Sequence, residues 1–222
     1  MMLAFHNDPA LKAFVLNELE VHKAADELVK GRYWEEGKGC ALGCTLEAVR
    51  RFQGEDATIA HGNHALYESR LGIPEVLARL EDRIFENLGN DASQKWPLRF
   101  TSAIRPGADL ALVWPKFAVW LLGEFLPPLT ADERALKSLK EVADLYGEWV
   151  NGAKPSVERW RSAYATDDDA DAATYAATYA TDDDAYAAAA DAAIAYAAAT
   201  DDAHQDAWVS LAAKLIEILA TS

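Results

Sequence analysis

Cysteine is scarce in this chain, because its 222 residues include only two, Cys40 and Cys44. Cysteines four residues apart on one helical face cannot close a useful loop, so a disulfide framework is excluded. Such thiols are typical of proteins in a reducing compartment, and we expect a cytoplasmic protein. The first residues, MMLAFHNDPALK, lack a basic patch followed by an apolar run, so the sequence predicts no signal peptide.

Long hydrophobic runs are also missing. The longest run, FAVWLLGEFL at 117–126, is interrupted by Glu124 and followed by Pro127 and Pro128. A membrane-spanning helix needs about 20 consecutive apolar residues. We therefore expect this run to be a buried helix, and we expect no membrane partner.

Basic residues are too few to balance the acidic ones: Lys and Arg number 21 and Asp and Glu number 36, which gives a formal net charge of −15. Binding nucleic acid over the general surface needs clustered Lys and Arg, so the composition excludes it. An acidic chain can bind a basic protein partner, or hold a small anion in one local basic pocket. A homo-oligomer also stays open.

Helical periodicity is what the sequence does contain, and no convincing pair of strands accompanies it. Pro9 follows the N-cap candidates Asn7 and Asp8 and opens a helix that we expect to end at Gly31. The apolar segment around Pro115 predicts a central helix that is kinked or interrupted at this proline. The sequence therefore predicts an all-α, compact multi-helix domain in which helix exceeds two thirds of the residues, well above the average for globular domains.

The composition changes after residue 152, where a segment rich in Ala, Tyr and Asp begins and repeats itself. We expect residues 1–152 to form a helical core domain and residues 153–222 to form helices that pack on the same core, since alanine has the highest helix propensity. Each TDD run supplies an N-cap Thr followed by acids in the first turn. Helices should therefore begin near Thr166, Thr181 or Thr200.

The stretch GKGCALGCT, residues 37–45, is the first candidate for chemistry. It is not a Walker A loop, because Lys38 follows Gly37 directly, without the four intervening residues which that loop needs. Gly37 and Gly39 nevertheless free the backbone to turn its amides inward at the start of a helix. The stretch predicts either an anion cradle with Lys38 beside it or a turn in which Gly43 permits close helix packing.

Several stretches resemble a widespread family of bacterial and phage proteins. They are YWEEGKGCALGCT, LGIPEVLARLEDRIFENL, VWPKFAVWLL and the Ala/Tyr-rich end. The resemblance covers nearly the whole chain, although residues 47–63 depart from the pattern as a longer connection. It transfers no catalytic or binding residue. The occurrence of the family in phages implies, by association, a role in the conflict between phage and host.

The first functional hypothesis is a non-enzymatic binding protein that sequesters a phosphate-bearing small molecule, a nucleotide-type immune signal, as a phage anti-defence protein. Tyr33 and Trp34 would stack on a base, while Lys38 and Arg70 would neutralise phosphate. The candidate ligand-binding residues are Tyr33, Trp34, Gly37, Lys38, Gly39, His64, Tyr67 and Arg70.

Two other functions stay open. An acidic protein-interaction inhibitor or immunity protein would use the Asp clusters to cover a basic toxin or nuclease. A metal-dependent hydrolase would use His22, His64 and Glu68, but the chain carries no recognised catalytic motif, so we lean towards no enzymatic activity.

A metal site is a further possibility that we do not favour. A Cys₂His₂ zinc site can be drawn from Cys40, Cys44, His61 and His64. The gap between the two cysteines lies on an expected helix rather than in a knuckle, which is a poor spacing for zinc. Cys40 with a nearby histidine could instead form a thiol dyad. We expect no metal and no cofactor.

Overall fold

The structure is a computed structural model, and it describes residues 2–56, 58–131, 133–164 and 201–222. It is 68% helical, and the described residues contain no β-strand. The predictions of an all-α fold and of a helix content above two thirds are therefore confirmed. Within these four ranges, no helix combines the length and the apolar character needed to cross a membrane.

The chain divides into two compact units. The first unit consists of Met1–Ala111 and Leu211–Ser222, and the second is Leu112–Ser210. The predicted division into a core domain at 1–152 and a helical segment at 153–222 stays a prediction. The final helix contributes residues to both units, because it runs through the division at Leu211.

The first unit contains the helices that position the candidate site. They are α1 (Pro9–Ala24), α2 (Ala41–Phe52), α3 (Ala65–Leu71), α4 (Glu75–Asn87), α5 (Asn90–Ser93) and α6 (Trp96–Ala103). Helix α1 packs against α2 and α6, and α2 also packs against α3 and α4. Every residue of α2 from Ala41 to Val49 is buried, so this helix forms the centre of the unit.

Helix α1 ends earlier than predicted, at Ala24 rather than at Gly31. Asp26 adopts a left-handed φ of 56°. The amides of Asp26 and Glu27 donate back to carbonyls of the last helical turn at 3.2 and 2.9 Å. These two bonds form a Schellman motif, which terminates a helix and satisfies its last carbonyls. The chain consequently forms a loop between Ala24 and the start of α2.

The described residues of the second unit form the helices that follow α6. They are α7 (Val113–Trp120), a π-helical turn (Leu121–Phe125), a 3-10 turn (Pro127–Leu129), α8 (Glu133–Val150), α9 (Val157–Tyr164) and the first half of α10 (Asp201–Ala220). The prediction of a kink at Pro115 is wrong, because this proline lies in the first turn of α7. Amides of a first turn have no partner within the helix, so proline removes no hydrogen bond there.

The helix starts predicted from the TDD runs near Thr166, Thr181 and Thr200 lie outside the described residues. Helix α10 is described from Asp201 onwards.

Replacing Asp26 with glycine should stabilise the first unit. A left-handed residue other than glycine costs on the order of 1 kcal/mol, so Asp26→Gly should raise the free energy of unfolding by up to about 1 kcal/mol. Ala24→Gly is the matched control, and it should lower that free energy by about 0.5–1 kcal/mol because Ala24 is helical. Urea denaturation measures both changes. A loss of stability in Asp26→Gly would show that the Asp26 side chain matters more than its backbone conformation.

Candidate functional site

The GKG segment forms a closed hairpin turn. Glu35 and Lys38 exchange backbone hydrogen bonds, with the amide of Glu35 donating at 2.8 Å and that of Lys38 at 3.0 Å. Between them Glu36 and Gly37 have φ values of 50° and 83°. Two successive positive φ values are characteristic of a type I′ two-residue turn, in which glycine is favoured at the second position. Gly37 is therefore required by the turn itself.

The amides that follow the turn also have backbone partners. The amide of Gly39 donates to the carbonyl of Glu27 at 3.1 Å, and that of Cys40 donates to the carbonyl of Arg32 at 2.8 Å. The amides of Lys38, Gly39 and Cys40 are thus all used within the protein. The predicted cradle of inward amides is wrong for these three positions, because a phosphate would have to displace structural hydrogen bonds. The Lys38 side chain is exposed, and its role as a ligand contact stays a prediction.

Three glycines instead make room for Tyr33. A Cβ atom at Gly39 would lie 2.1 Å from the carbonyl oxygen of Tyr33, and one at Gly43 would lie 1.5 Å from the same oxygen. A Cβ atom at Gly62 would lie 2.6 Å from the Tyr33 ring. These distances are far below van der Waals contact, so any side chain at the three positions would displace Tyr33. Gly43 does permit a close approach, but of the loop before α2 rather than of another helix.

The Tyr33 side chain remains accessible although its backbone is enclosed. It is 45% exposed. Its ring and that of His64 are nearly perpendicular, with centroids 6.0 Å apart and an interplanar angle of 87°. Burial raises the pKa of Tyr33, and the acidic groups of Asp82, Cys40 and Glu86 raise it further. The Tyr33 hydroxyl therefore lies within electrostatic range of these acidic side chains.

Trp34 belongs to a different environment from Tyr33. Its indole stacks on His61, with centroids 5.3 Å apart and an interplanar angle of 21°, and its neighbour on the edge is His22 at 5.4 Å. His22 Nδ1 lies 2.7 Å from Glu27 Oε2, and His61 Nε2 lies 3.1 Å from Glu47 Oε2. One face of the indole, on which a base was predicted to stack, is thus covered by His61.

Buried Glu47 is the acceptor at the centre of an ionic network. It receives hydrogen bonds from Arg50 at 2.7 and 2.8 Å and from Arg51 at 3.0 Å, in addition to His61. The Arg50 hydrogen bonds are the largest cause that lowers the pKa of Glu47 to about 2, against the opposing effect of burial. Arg51 also bonds Glu18 of α1 at 2.8 Å. The network therefore links α1, α2 and the loop that carries His61.

The acidic side chains near Tyr33 come from the start of α2 and from α4. One ligand-type atom each from Cys40, Asp82 and Glu86 lies within 4.8 Å of the other two. Cys40 is the N-cap of α2, while Asp82 and Glu86 are four residues apart on α4 and so share one face. His64 Nε2 lies 3.0 Å from Asp82 Oδ2. We refer to Cys40, Asp82 and Glu86 as the acidic cluster.

Glu81 and Tyr67 are buried next to the acidic cluster, each with 1% of its surface exposed. Burial and the carboxylates of Asp82 and Glu86 raise the pKa of Glu81 well above its usual value. Burial also raises the pKa of Tyr67, and the nearby acidic groups of Glu81, Cys40 and Asp82 act in the same direction. A strongly acidic environment thus extends from the surface at Tyr33 into the core.

The predicted site residues fall into separate places. Tyr33, His64 and Tyr67 meet around the acidic cluster, whereas Trp34 lies between two histidines. Arg70 binds Gln53 Oε1 at 2.5 Å and Glu55 Oε1 at 2.8 Å, so its charge is already paired. Sequence analysis missed the two carboxylates of the acidic cluster on α4. Their spacing of four residues on an amphipathic helix is the signal that could have found them.

The other constellations drawn from the sequence do not assemble. Among the described residues, the group that could hold a metal ion is the acidic cluster, so the Cys₂His₂ set is wrong. Cys44 Sγ donates to the Gly39 carbonyl at 3.4 Å. For the hydrolase, Glu68 accepts a hydrogen bond from the first amide of α4 at 3.4 Å, while His22 binds Glu27 and His64 binds Asp82.

Comparisons with known proteins add no functional information. No protein-family model matches the chain, and neither a curated protein nor a solved structure does. The family resemblance inferred from the motifs therefore stays a prediction, and the function has to be argued from the geometry.

The close contact between the Tyr33 carbonyl and Gly43 leaves no room for a side chain at position 43. Gly43→Ala should lower the free energy of unfolding by about 1–3 kcal/mol or more, since the added methyl group meets backbone rather than a movable side chain. Gly147→Ala on α8 is the control, because a Cβ atom there meets nothing within 4 Å. That variant should be neutral or stabilising by up to about 1 kcal/mol. Chemical denaturation of both variants checks this. If Gly43→Ala were as stable as Gly147→Ala, the close packing of Tyr33 on Gly43 would be refuted.

The Glu47 network predicts a defined loss of stability in acid. A carboxylate whose pKa is lowered stabilises the fold fully above its unfolded value of 4.5 and loses this contribution as pH falls towards about 2. Glu47→Gln should therefore be less stable than the natural protein at pH 7, by about 2–3 kcal/mol. The difference should shrink between pH 4.5 and 2. Urea midpoints across that range test it, with Glu35→Gln, from the exposed Arg32 pair, as the control that changes little.

Proposed function

We propose that the protein is a non-enzymatic binding protein that captures a partner protein with a basic surface. The observation that carries the proposal is Tyr33, an aromatic side chain that is 45% exposed although three glycines fix its position. An exposed aromatic residue on a flexible loop would need no such accommodation. The enclosed backbone and the accessible ring suggest a side chain that is held ready for contact.

A fixed, accessible tyrosine is well suited to anchor a protein interface. Tyr is enriched among the residues that contribute most to binding, and it offers a large contact area at a low cost in conformational entropy. The Tyr33 backbone is packed against Gly39 and Gly43 and its ring against Gly62, so little freedom would be lost when a partner binds.

Charge selects the kind of partner. Glu35 and Glu36 are exposed at the hairpin tip next to Tyr33, and the half-buried Asp82 and Glu86 lie near its hydroxyl. The whole chain carries a formal charge of −15. Such a surface attracts Lys and Arg side chains and repels phosphate, so it favours a basic protein over a nucleotide.

The state of the thiols supports a role without covalent catalysis. Burial raises the pKa of Cys44 to about 12, and burial and the carboxylate of Asp82 raise that of Cys40 beyond it. Both thiols thus stay protonated at neutral pH, and a protonated thiol is a poor nucleophile. A thiol–histidine dyad has no support from this environment.

The phosphate-bearing ligand remains a second candidate, supported by the accessible Tyr33 ring and the exposed Lys38 on the same hairpin. The amides of Lys38, Gly39 and Cys40, which would have bound the phosphate specifically, already donate to backbone carbonyls. The distinguishing requirement of this ligand is Lys38, whereas capture of a basic protein requires Tyr33 and the exposed carboxylates of the hairpin, Glu35 and Glu36.

A photo-crosslinking residue at position 33 tests the proposal directly. In cells it should trap a basic protein, and the purified partner should bind the natural chain with an affinity that falls as salt concentration rises. Tyr33→Ala should weaken that binding at least tenfold, without a change in thermal stability. Phe52→Ala is the matched control, because Phe52 is an exposed aromatic residue, 37% accessible, that follows Arg50 and Arg51.

Three results would overturn the proposal. The first is an acidic trapped partner, and the second is binding that Tyr33→Ala leaves unchanged. The third is binding of a nucleotide that Lys38→Ala weakens and Tyr33→Ala does not abolish, which would favour the phosphate-bearing ligand.

A further inference from the structure

We propose that Cys40, Asp82 and Glu86 bind one divalent cation of the zinc type. Their ligand atoms already lie within 4.8 Å of one another, and they come from α2 and α4, which pack directly against each other. This inference does not depend on the partner proposed above, because it rests on the inner side of the cluster rather than on the exposed Tyr33 ring.

The distances fit a site that closes by side-chain movement alone. Zinc binds sulfur at about 2.3 Å and carboxylate oxygen at about 2.0–2.2 Å, so tetrahedral ligands lie roughly 3.5 Å apart. The observed separations are at most 4.8 Å, so they exceed that value by at most about 1.3 Å. Carboxylate side chains can cover such a distance through rotation, while the backbones of both helices stay in place.

Unpartnered carboxylate oxygens provide an independent reason for a cation. Glu81 is 1% exposed, and its Oε2 atom finds no hydrogen-bond donor among the described residues. Asp82 uses Oδ2 for His64, whereas its buried Oδ1 atom has no donor in the same part of the chain. Buried polar atoms without partners are costly, and a bound cation would remove that cost.

Buried Glu81 lies next to the proposed ligands, because its carboxylate is within electrostatic range of Cys40, Asp82 and Glu86. On binding, the Cys40 thiol would release its proton to solvent, because it is the thiolate that ligates zinc.

Neighbouring groups hold two of the ligands in position. His64 binds one oxygen of Asp82 at 3.0 Å, and the amide of Gly31 donates to Glu86 at 3.0 Å. Contacts of this kind orient the ligands of many metal sites. Lys30 and Arg83 offset part of the charge of Glu86, so Cys40 and Asp82 should contribute most to affinity.

The ligand set selects the class of metal. One thiolate with carboxylates suits zinc and cobalt, whereas magnesium and calcium prefer ligands that are all oxygen. Access is available from the surface, because Asp82 and Glu86 are only partly buried beside the exposed Tyr33.

Cobalt absorption spectroscopy on the full chain provides the test. Chelator-treated protein titrated with Co²⁺ should bind one ion and develop a sulfur-to-cobalt charge-transfer band in the near ultraviolet. Zn²⁺ should remove the band and Mg²⁺ should not. Cys40→Ser should abolish it, while the matched Cys44→Ser should retain it, because Cys44 bonds the Gly39 carbonyl instead. Asp82→Asn should weaken Co²⁺ binding at least tenfold.

The proposal is overturned if the natural chain develops no band, or if the band survives Cys40→Ser. If Cys40→Ser does not fold, Asp82→Asn decides, and an unchanged Co²⁺ affinity would refute the site. No partner protein is needed, so failure of the metal site leaves the capture of a basic protein untouched, and the reverse also holds.

Discussion

The close approach of Tyr33 to the backbone of α2 is the contact on which the site depends. The Tyr33 carbonyl occupies the space that a Cβ atom would fill at Gly39 and at Gly43. The Tyr33 ring lies where a Cβ atom would be at Gly62. Because the loop is pressed against α2 in this way, its direction is fixed. Tyr33 then points towards the acidic cluster, and the next residue, Trp34, points towards the histidines.

Paired charges surround this contact. Each of His22, His61 and His64 lies beside one aromatic residue of the loop and within hydrogen-bonding distance of a carboxylate. Buried polar groups need such partners, and broken pairs are costly. The same arrangement leaves buried carboxylates at Glu81 and Asp82 incompletely satisfied. The proposed cation site and the proposed acidic binding surface are therefore two consequences of one concentration of negative charge.

Much of the fold could be predicted from local sequence, and the site could not. Helix-forming periodicity and Pro9 gave the all-α class and the start of α1, because these signals act within a few residues. The end of α1 was missed because Asp26 adopts a left-handed conformation that is usually marked by glycine. Pro115 was misjudged because its effect depends on where the helix begins.

The glycines of GKGCALGCT illustrate why the site resisted prediction. Glycine in a short motif indicates that space or a positive φ is needed, but not what occupies the space. A phosphate and a tyrosine carbonyl produce the same pattern in the sequence. Only the packing of residues 33–34 on α2 distinguishes them. The acidic cluster was missed for the same reason, since it joins residues that are about forty positions apart.

Amide hydrogen exchange at Gly39 and Cys40, measured by nuclear magnetic resonance, tests the central claim most directly. The account predicts that both amides exchange as slowly as those in the middle of α2, because they donate to the carbonyls of Glu27 and Arg32 inside the protein. Added inorganic phosphate should not change their rates. Fast exchange that slows when phosphate is added would contradict the account, because it would mean that these amides are free to bind an anion.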